Sequence, residues 1–275
     1  MTDDPSDNPQ TAPFDTSYRV RTVAPGRGVA WFSDGLALFR TKPAMFTAMG
    51  VIALLVYGLV SLIPFLNFIA MELFWPHLAA GMYLAARHAR DGAPMAIGDL
   101  FEPFRTKTEA LLGVGGLYFA ATIVLMIVMG ILFAMSVDMA TLERAMNSPE
   151  NNPMMAMGNA MSTVLLMILV WLALMIPVAM AFLFAPLLVH QGQVRVMEAL
   201  RLSFEGCLRN VLPFLVWGLI WLLAFIAMVA VAFIPVVGWL LLLVAMIVLG
   251  PVMAANLLEA YRDIYRTSDV SDVTV

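Results

Sequence analysis

Residues 211–258 read VLPFLVWGLIWLLAFIAMVAVAFIPVVGWLLLLVAMIVLGPVMAANLL, with no charged side chain anywhere in the stretch. A membrane-spanning helix needs roughly 20 mainly apolar residues. The stretch therefore holds two spans, about 211–234 and 236–258, turned at Pro235. Working outward, four more stretches qualify, at about 44–63, 68–86, 110–136 and 161–189. The one at 68–86 is the weakest, because it carries Glu72, Pro76 and His77. None shows the residue-by-residue alternation of a membrane β-barrel.

Composition agrees. The chain has 275 residues, 62% of them hydrophobic and 12% charged, where soluble domains carry about 25% charged residues. Its mean hydropathy is +0.89. This balance excludes a soluble globule, a disordered chain, a coiled coil and a nucleic-acid binder. The single cysteine, Cys207, can form no internal disulfide. Residues 1–17 are acidic and polar and do not read as a secretory signal, so the first span is expected to act as the insertion signal.

The placement of Lys and Arg sets the expected orientation. Of 15 cationic residues, 14 fall before the first span, between the second and third, between the fourth and fifth, or after the sixth. Arg144 alone falls on the other side. Both termini are thus expected in the cytoplasm of a bacterial inner-membrane protein. The loop at about 137–160 is the one sizeable external segment. Its methionines, among them Met139, Met146, Met154, Met155 and Met157, are of the soft-ligand type that suits Cu(I). The chain has 22 Met in all, however, and no His or Cys accompanies the loop, so adaptable packing is the expected use.

An internal repeat is visible. Val60-Ser61-Leu62-Ile63-Pro64 parallels Val231-Ala232-Phe233-Ile234-Pro235, and Ser33, Leu38 and Pro43 align with Ser203, Leu208 and Pro213. Prolines recur in the even spans as Pro76, Pro186 and Pro251. Chance similarity among apolar residues is the competing explanation. Each odd span follows a short amphipathic stretch: Val29, Phe32, Leu36 and Phe39; Ile97, Leu100, Phe101 and Phe104; Met197, Leu200, Phe204 and Leu208. Three- and four-residue spacing puts each set on one helical face. Such segments can lie in the headgroup layer or pack under the bundle as elbows. In the first case Arg40, Lys42, Arg105, Lys107, Arg201 and Arg209 would contact anionic lipid, each contributing about 1 kcal/mol near the surface.

The segment Ala199-Leu200-Arg201-Leu202-Ser203-Phe204, followed by Arg209-Asn210-Val211-Leu212-Pro213, has a weaker copy at Gly35-Leu36-Ala37-Leu38-Phe39-Arg40-Thr41-Lys42-Pro43. The pattern resembles uncharacterised polytopic bacterial inner-membrane families, which are similar to the membrane domain attached to some glycerophosphodiester phosphodiesterases. The resemblance covers residues 28–262. It implies a membrane module and carries over no catalytic residue.

The expected fold is an all-α integral membrane protein of six transmembrane helices in three hairpins, with short cytoplasmic amphipathic helices before the odd spans. The expected domains are a polar tail at 1–27, one membrane domain at 28–262 (hairpin units about 28–90, 95–190 and 194–262) and a polar tail at 263–275. The expected role is a non-enzymatic module associated with membrane lipids, with protein partners or a homo-oligomer as further possibilities and no nucleic acid. The alternative is a small transporter or channel. Its intramembrane polar site would be Glu72, His77 and Asn67, since ionisable groups within a bilayer default to function. No cofactor, metal or catalytic set is expected: GxxxxGK[ST], GxSxG and HExxH are absent. Gly113, Gly116 and Ala120 are expected to form a small-residue packing face, with Gly115 nearby.

Overall fold

A computed structural model of the chain describes residues 18–63, 66–136, 153–192, 194–234 and 236–267. The elements run β1 (Tyr18–Val20), α1 (Arg27–Thr41), α2 (Pro43–Ser61), α3 (Leu66–Arg90), a 3₁₀ turn (Ile97–Leu100), α4 (Pro103–Thr106), α5 (Thr108–Ser136), α6 (Pro153–Phe182), α7 (Ala185–Gln191), α8 (Val196–Arg209), α9 (Val211–Ala232), α10 (Val237–Ile264) and β2 (Tyr265–Thr267). Among them lie six stretches long and apolar enough to cross a membrane: Pro43–Ser61, Asn67–Arg90, Thr108–Ser136, Met161–Gln191, Val211–Ala232 and Val237–Ile264. They form three hairpins. The odd spans are α2, α5 and α9, and the even spans are α3, α6 with α7, and α10. The 137–160 loop and its methionine reading lie outside the described residues, except that 153–160 belong to α6.

The hairpins interlock through the segments that precede them. Helix α1 of the first unit packs on α10 of the third. The 3₁₀ turn of the second unit packs on α3 of the first. Helix α8 of the third unit packs on α6 and α7 of the second. The same relation thus occurs three times and closes a cycle. Within the membrane the cycle is broken at one place. Helix α5 packs on α3, and α2 packs on α10, but among the described residues α9 does not pack along α6.

Backbone contact sets these crossings. A Cβ on Gly35 of α1 would collide with the backbone of Asn256, and one on Gly81 of α3 with the Leu100 carbonyl. Small residues let helices approach this closely, and lipid gives no hydrophobic drive to substitute for such packing. In the third case the even span itself breaks. Pro186 lies in the first turn of α7, where its missing N–H and ring interrupt the helix. The Ser203 hydroxyl of α8 fills the break: it donates to the Met180 carbonyl at 2.7 Å and accepts from the Phe184 N–H at 3.0 Å. A side chain inserted into the i to i+4 ladder is a recognised cause of a kink.

Burial is concentrated at the end that carries the β1–β2 ribbon, the terminal end of the described residues. Trp31, Phe46, Phe184, Leu188, Leu258 and Ile264 are fully buried there. At the far end, Leu59, Met135, Leu165, Phe225 and Leu240 face outward. The most apolar windows of the fourth and fifth spans bury nothing.

Two expectations are corrected. The tails assigned to 1–27 and 263–275 are folded where described: Tyr18 pairs with Thr267, Arg19 with Arg266 and Val20 with Tyr265 in an antiparallel ribbon. Their polar composition hides this, because a two-stranded ribbon is held by backbone groups that composition does not report. The second amphipathic segment is a 3₁₀ turn and a separate short turn rather than one helix, since Pro103 has no N–H to continue the first.

Candidate functional site

The polar chemistry of the molecule gathers at the terminal end. Asn210, between α8 and α9, donates to the Arg21 and Gly206 carbonyls at 2.8 and 2.9 Å and accepts from the Val23 N–H at 2.8 Å. Its amide is fully used, and it ties the incoming chain to the hinge. Asp263 accepts from Arg27 Nε at 2.6 Å and Trp31 Nε1 at 2.7 Å. That hydrogen bond raises the affinity of the Arg27 guanidinium for its proton above the usual value. Arg90 of α3 donates to Glu259 of α10 at 2.7 Å. With its nitrogen oriented toward two acceptors, the buried Asn256 amide donates to the Val252 and Trp31 carbonyls at 3.2 Å each.

Two histidines hold the second segment from opposite sides. His88 Nδ1 of α3 is 2.9 Å from Asp99, and His190 Nε2 of α7 is 2.7 Å from Glu102. Asp99 also accepts the Ala96 N–H at 3.0 Å. The turn between Ala96 and Lys107 is thereby fixed to two even spans at once. Cys207 is buried on α8, and burial pushes its thiol up to about 12, so it is neutral and inert at ordinary pH. Among the described residues no group of three His, Cys, Asp or Glu could hold a metal ion.

The expected lipid contacts divide. Lys42 Nζ donates to the Ala93 carbonyl at 2.9 Å, and Arg209 pairs with Glu205 at 2.6 Å. Arg40, Arg105 and Arg201 are exposed and have no ion pair among the described residues. The amphipathic faces also sort themselves. Helix α8 turns Ala199, Leu202, Ser203, Gly206 and Cys207 into the protein. Most of the stripe read as its apolar face points out: Met197 is 68% exposed, Leu208 55% and Phe204 36%, with Arg201 among them, while Leu200 packs half-buried against the core. Helix α1 likewise buries Gly28, Trp31, Gly35 and Leu38. Its Phe32 and Phe39 remain half-buried against Trp221 and Phe46.

The intramembrane residues do not assemble into one group. His77 is wholly buried, stacked on Phe104 with ring centroids 4.5 Å apart, and its ring lies beside the backbones of Leu73 and Thr108. Glu72 lies half-buried near Tyr118 of α5, and no hydrogen bond joins it to His77. Asn67 Oδ1 is buried without a partner. The pattern reading missed two neighbours in the same condition, Trp75 Nε1 and Thr122 Oγ1. A tryptophan or threonine in a span reads as ordinary lipid-compatible composition. The packing glycine of this seam is Gly115, whose Cβ would meet the backbone of Glu72 and Leu73, whereas Gly116 faces open space.

Six apolar helices in three hairpins, three of them carrying another unit's surface segment, define a multi-pass helical membrane protein. A protein of Burkholderia thailandensis described as a probable inner membrane protein is 33% identical over 207 residues, spanning 72% of this chain and 73% of that relative. This chain belongs to the family of that inner-membrane protein. No family model and no solved structure matches it.

Proposed function

We propose that the chain is a non-enzymatic, lipid-associated module of the inner membrane with both termini in the cytoplasm. The observation that carries the reading is the outward stripe of α8, where Met197, Phe204 and Leu208 surround Arg201. A helix held to the protein by small residues and offering apolar side chains with a cation is built for the headgroup boundary. The terminal orientation rests on the cationic residues, 14 of 15 of which belong to that face. The resemblance of the 199–213 pattern to membrane domains attached to some glycerophosphodiester phosphodiesterases suits a module of this kind. Purification in native membrane discs, with mass spectrometry of retained lipid, tests the reading. Anionic lipid should be enriched over the bulk membrane, and Arg201→Gln combined with Phe204→Ser should abolish the enrichment. Unchanged lipid in both proteins contradicts it.

A second reading, small-solute or proton movement along the α3–α5 seam, is favoured by one observation. Buried polar atoms of Asn67, Trp75 and Thr122 all lack partners there. Unsatisfied groups in a bilayer are costly and call for water or a ligand. The test is pH-dependent flux in proteoliposomes with Glu72→Gln and His77→Phe. Flux lost in either variant supports transport, and equal flux in all three proteins removes it.

A further inference from the structure

Where the inner ends of the three even spans converge, a cavity of about 350 Å³ opens beneath the terminal ribbon. This falls in the size range of small-ligand sites, ~300–1,000 Å³. Helix α3 contributes Arg87 and the turn after it Asp91, α7 contributes Gln191, α10 contributes Tyr261 and Arg262, and β1 contributes Tyr18. The Tyr18 ring is seated by Gly192, where a Cβ would meet its hydroxyl end.

The lining is rich in donors and short of acceptors. Arg87 and Asp91 stand one turn apart with Nε to Oδ2 at 3.6 Å, beyond good hydrogen-bond range. Arg262 is exposed and has no ion pair among the described residues. Gln191 Nε2 is buried with no acceptor. An amide nitrogen sealed from water without a partner is costly, and here it belongs to a side chain that lines a space flanked by two guanidinium groups. An anion bearing several oxygens would supply the missing acceptors, with charge-assisted bonds from both arginines.

We propose that this cavity binds a phosphate-type anion held by Arg87, Gln191 and Arg262. The anion is either the headgroup of an anionic phospholipid or a free phosphate compound. The inference goes beyond the lipid-module reading and is independent of the α8 stripe.

The full-length protein is tested in zwitterionic detergent with inorganic phosphate, and in discs of phosphatidylcholine with or without phosphatidylglycerol. Thermal stability and native mass spectrometry provide the readouts. Phosphate that raises the melting temperature where equal chloride does not identifies a free anion. Retention of phosphatidylglycerol without a phosphate effect identifies a headgroup. In either case Arg262→Gln should weaken binding about tenfold, as loss of one hydrogen bond to a charged group implies. Gln191→Met serves as the second variant. It removes the orphaned donor, so the ligand-free protein should be at least as stable as the parent while the response to ligand falls. Absence of both effects in the parent protein overturns the proposal. So does a response that Arg262→Gln and Gln191→Met leave intact.

Discussion

The two ends of this bundle are made of similar residues and behave differently. At the terminal end, small residues bring backbones into contact. Gly35 fits against Asn256, Gly81 against Leu100 and Gly28 against Pro213. Polar side chains such as Asn210, Ser203 and Asp263 find partners there. At the far end, a Cβ on Gly58 or Gly130 would meet nothing, and leucine, isoleucine and phenylalanine face outward on every side. The contrast teaches what holds a membrane protein together. Apolar side chains gain little by leaving lipid for one another, so order comes from close backbone approach and from polar groups that need partners. The hydropathy that places the helices in the bilayer is not what joins them.

The largest expected effect breaks the tight end. Gly35→Leu forces a side chain into the Asn256 backbone and should prevent recovery of monodisperse protein, a loss above about 3 kcal/mol. Gly130→Leu, made as the far-end counterpart, should leave yield and melting temperature unchanged. A smaller effect follows from Ser203→Ala, which removes the hydroxyl shared by Met180 and Phe184. It should cost about 1–3 kcal/mol, read as a lowered midpoint in a chemical unfolding titration. Asp263→Asn weakens the bonds to Arg27 and Trp31 at a partly exposed site, and should cost about 1 kcal/mol or less. That loss should shrink at high salt. Smallest of all, Leu165→Ala or Phe225→Ala on the open spans should shift stability by less than about 0.5 kcal/mol.

A chemical probe sharpens the same contrast. The Cys207 thiol is pushed up to about 12 by burial. It stays protonated through the neutral range and becomes a thiolate only as pH approaches that value. Maleimide at pH 8 should therefore leave Cys207 unmodified in the folded protein and label it fully after denaturation. A cysteine placed at Leu208, on the exposed side of α8, should react in the folded state.

What the sequence made legible follows from this physics. The spans and their turns are visible because each needs a long apolar run, as in 211–258. The amphipathic segments are visible because they carry a helical period. Their facing is not. On α8 the period marks Met197, Leu200, Phe204 and Leu208, of which Leu200 alone packs on the core, while the buried side is the small stripe through Ala199, Ser203 and Gly206. Hydrophobicity points to the core in water, but in a bilayer it points equally well to lipid. The ribbon between Tyr18–Val20 and Tyr265–Thr267 was hidden because its pairing is between backbones 245 residues apart (Val20 to Tyr265). The cavity under it combines Arg87, Gln191 and Arg262, and no spacing links these three positions. Glu72 and His77 stood out as intramembrane ionisable residues, but their lack of contact with each other depends on how α3 faces α5 and the Phe104 turn.

The central claim is that the cycle of hairpins closes at the terminal end and stays open between α6 and α9 in the membrane. Disulfide trapping in lipid discs tests it directly, because a disulfide forms only when Cα atoms come within about 4.4–6.8 Å. In a Cys207→Ala background, cysteines replacing Phe68 and Phe119, whose ring centroids lie 5.7 Å apart across α3 and α5, serve as the packed-seam control and should cross-link faster than any α6–α9 pair. Cysteines at Leu165, Leu172 or Ile176 of α6, paired in turn with Leu219, Leu222 or Ile226 of α9, should not. Cross-linking of any α6–α9 pair as fast as the control would contradict the open cycle.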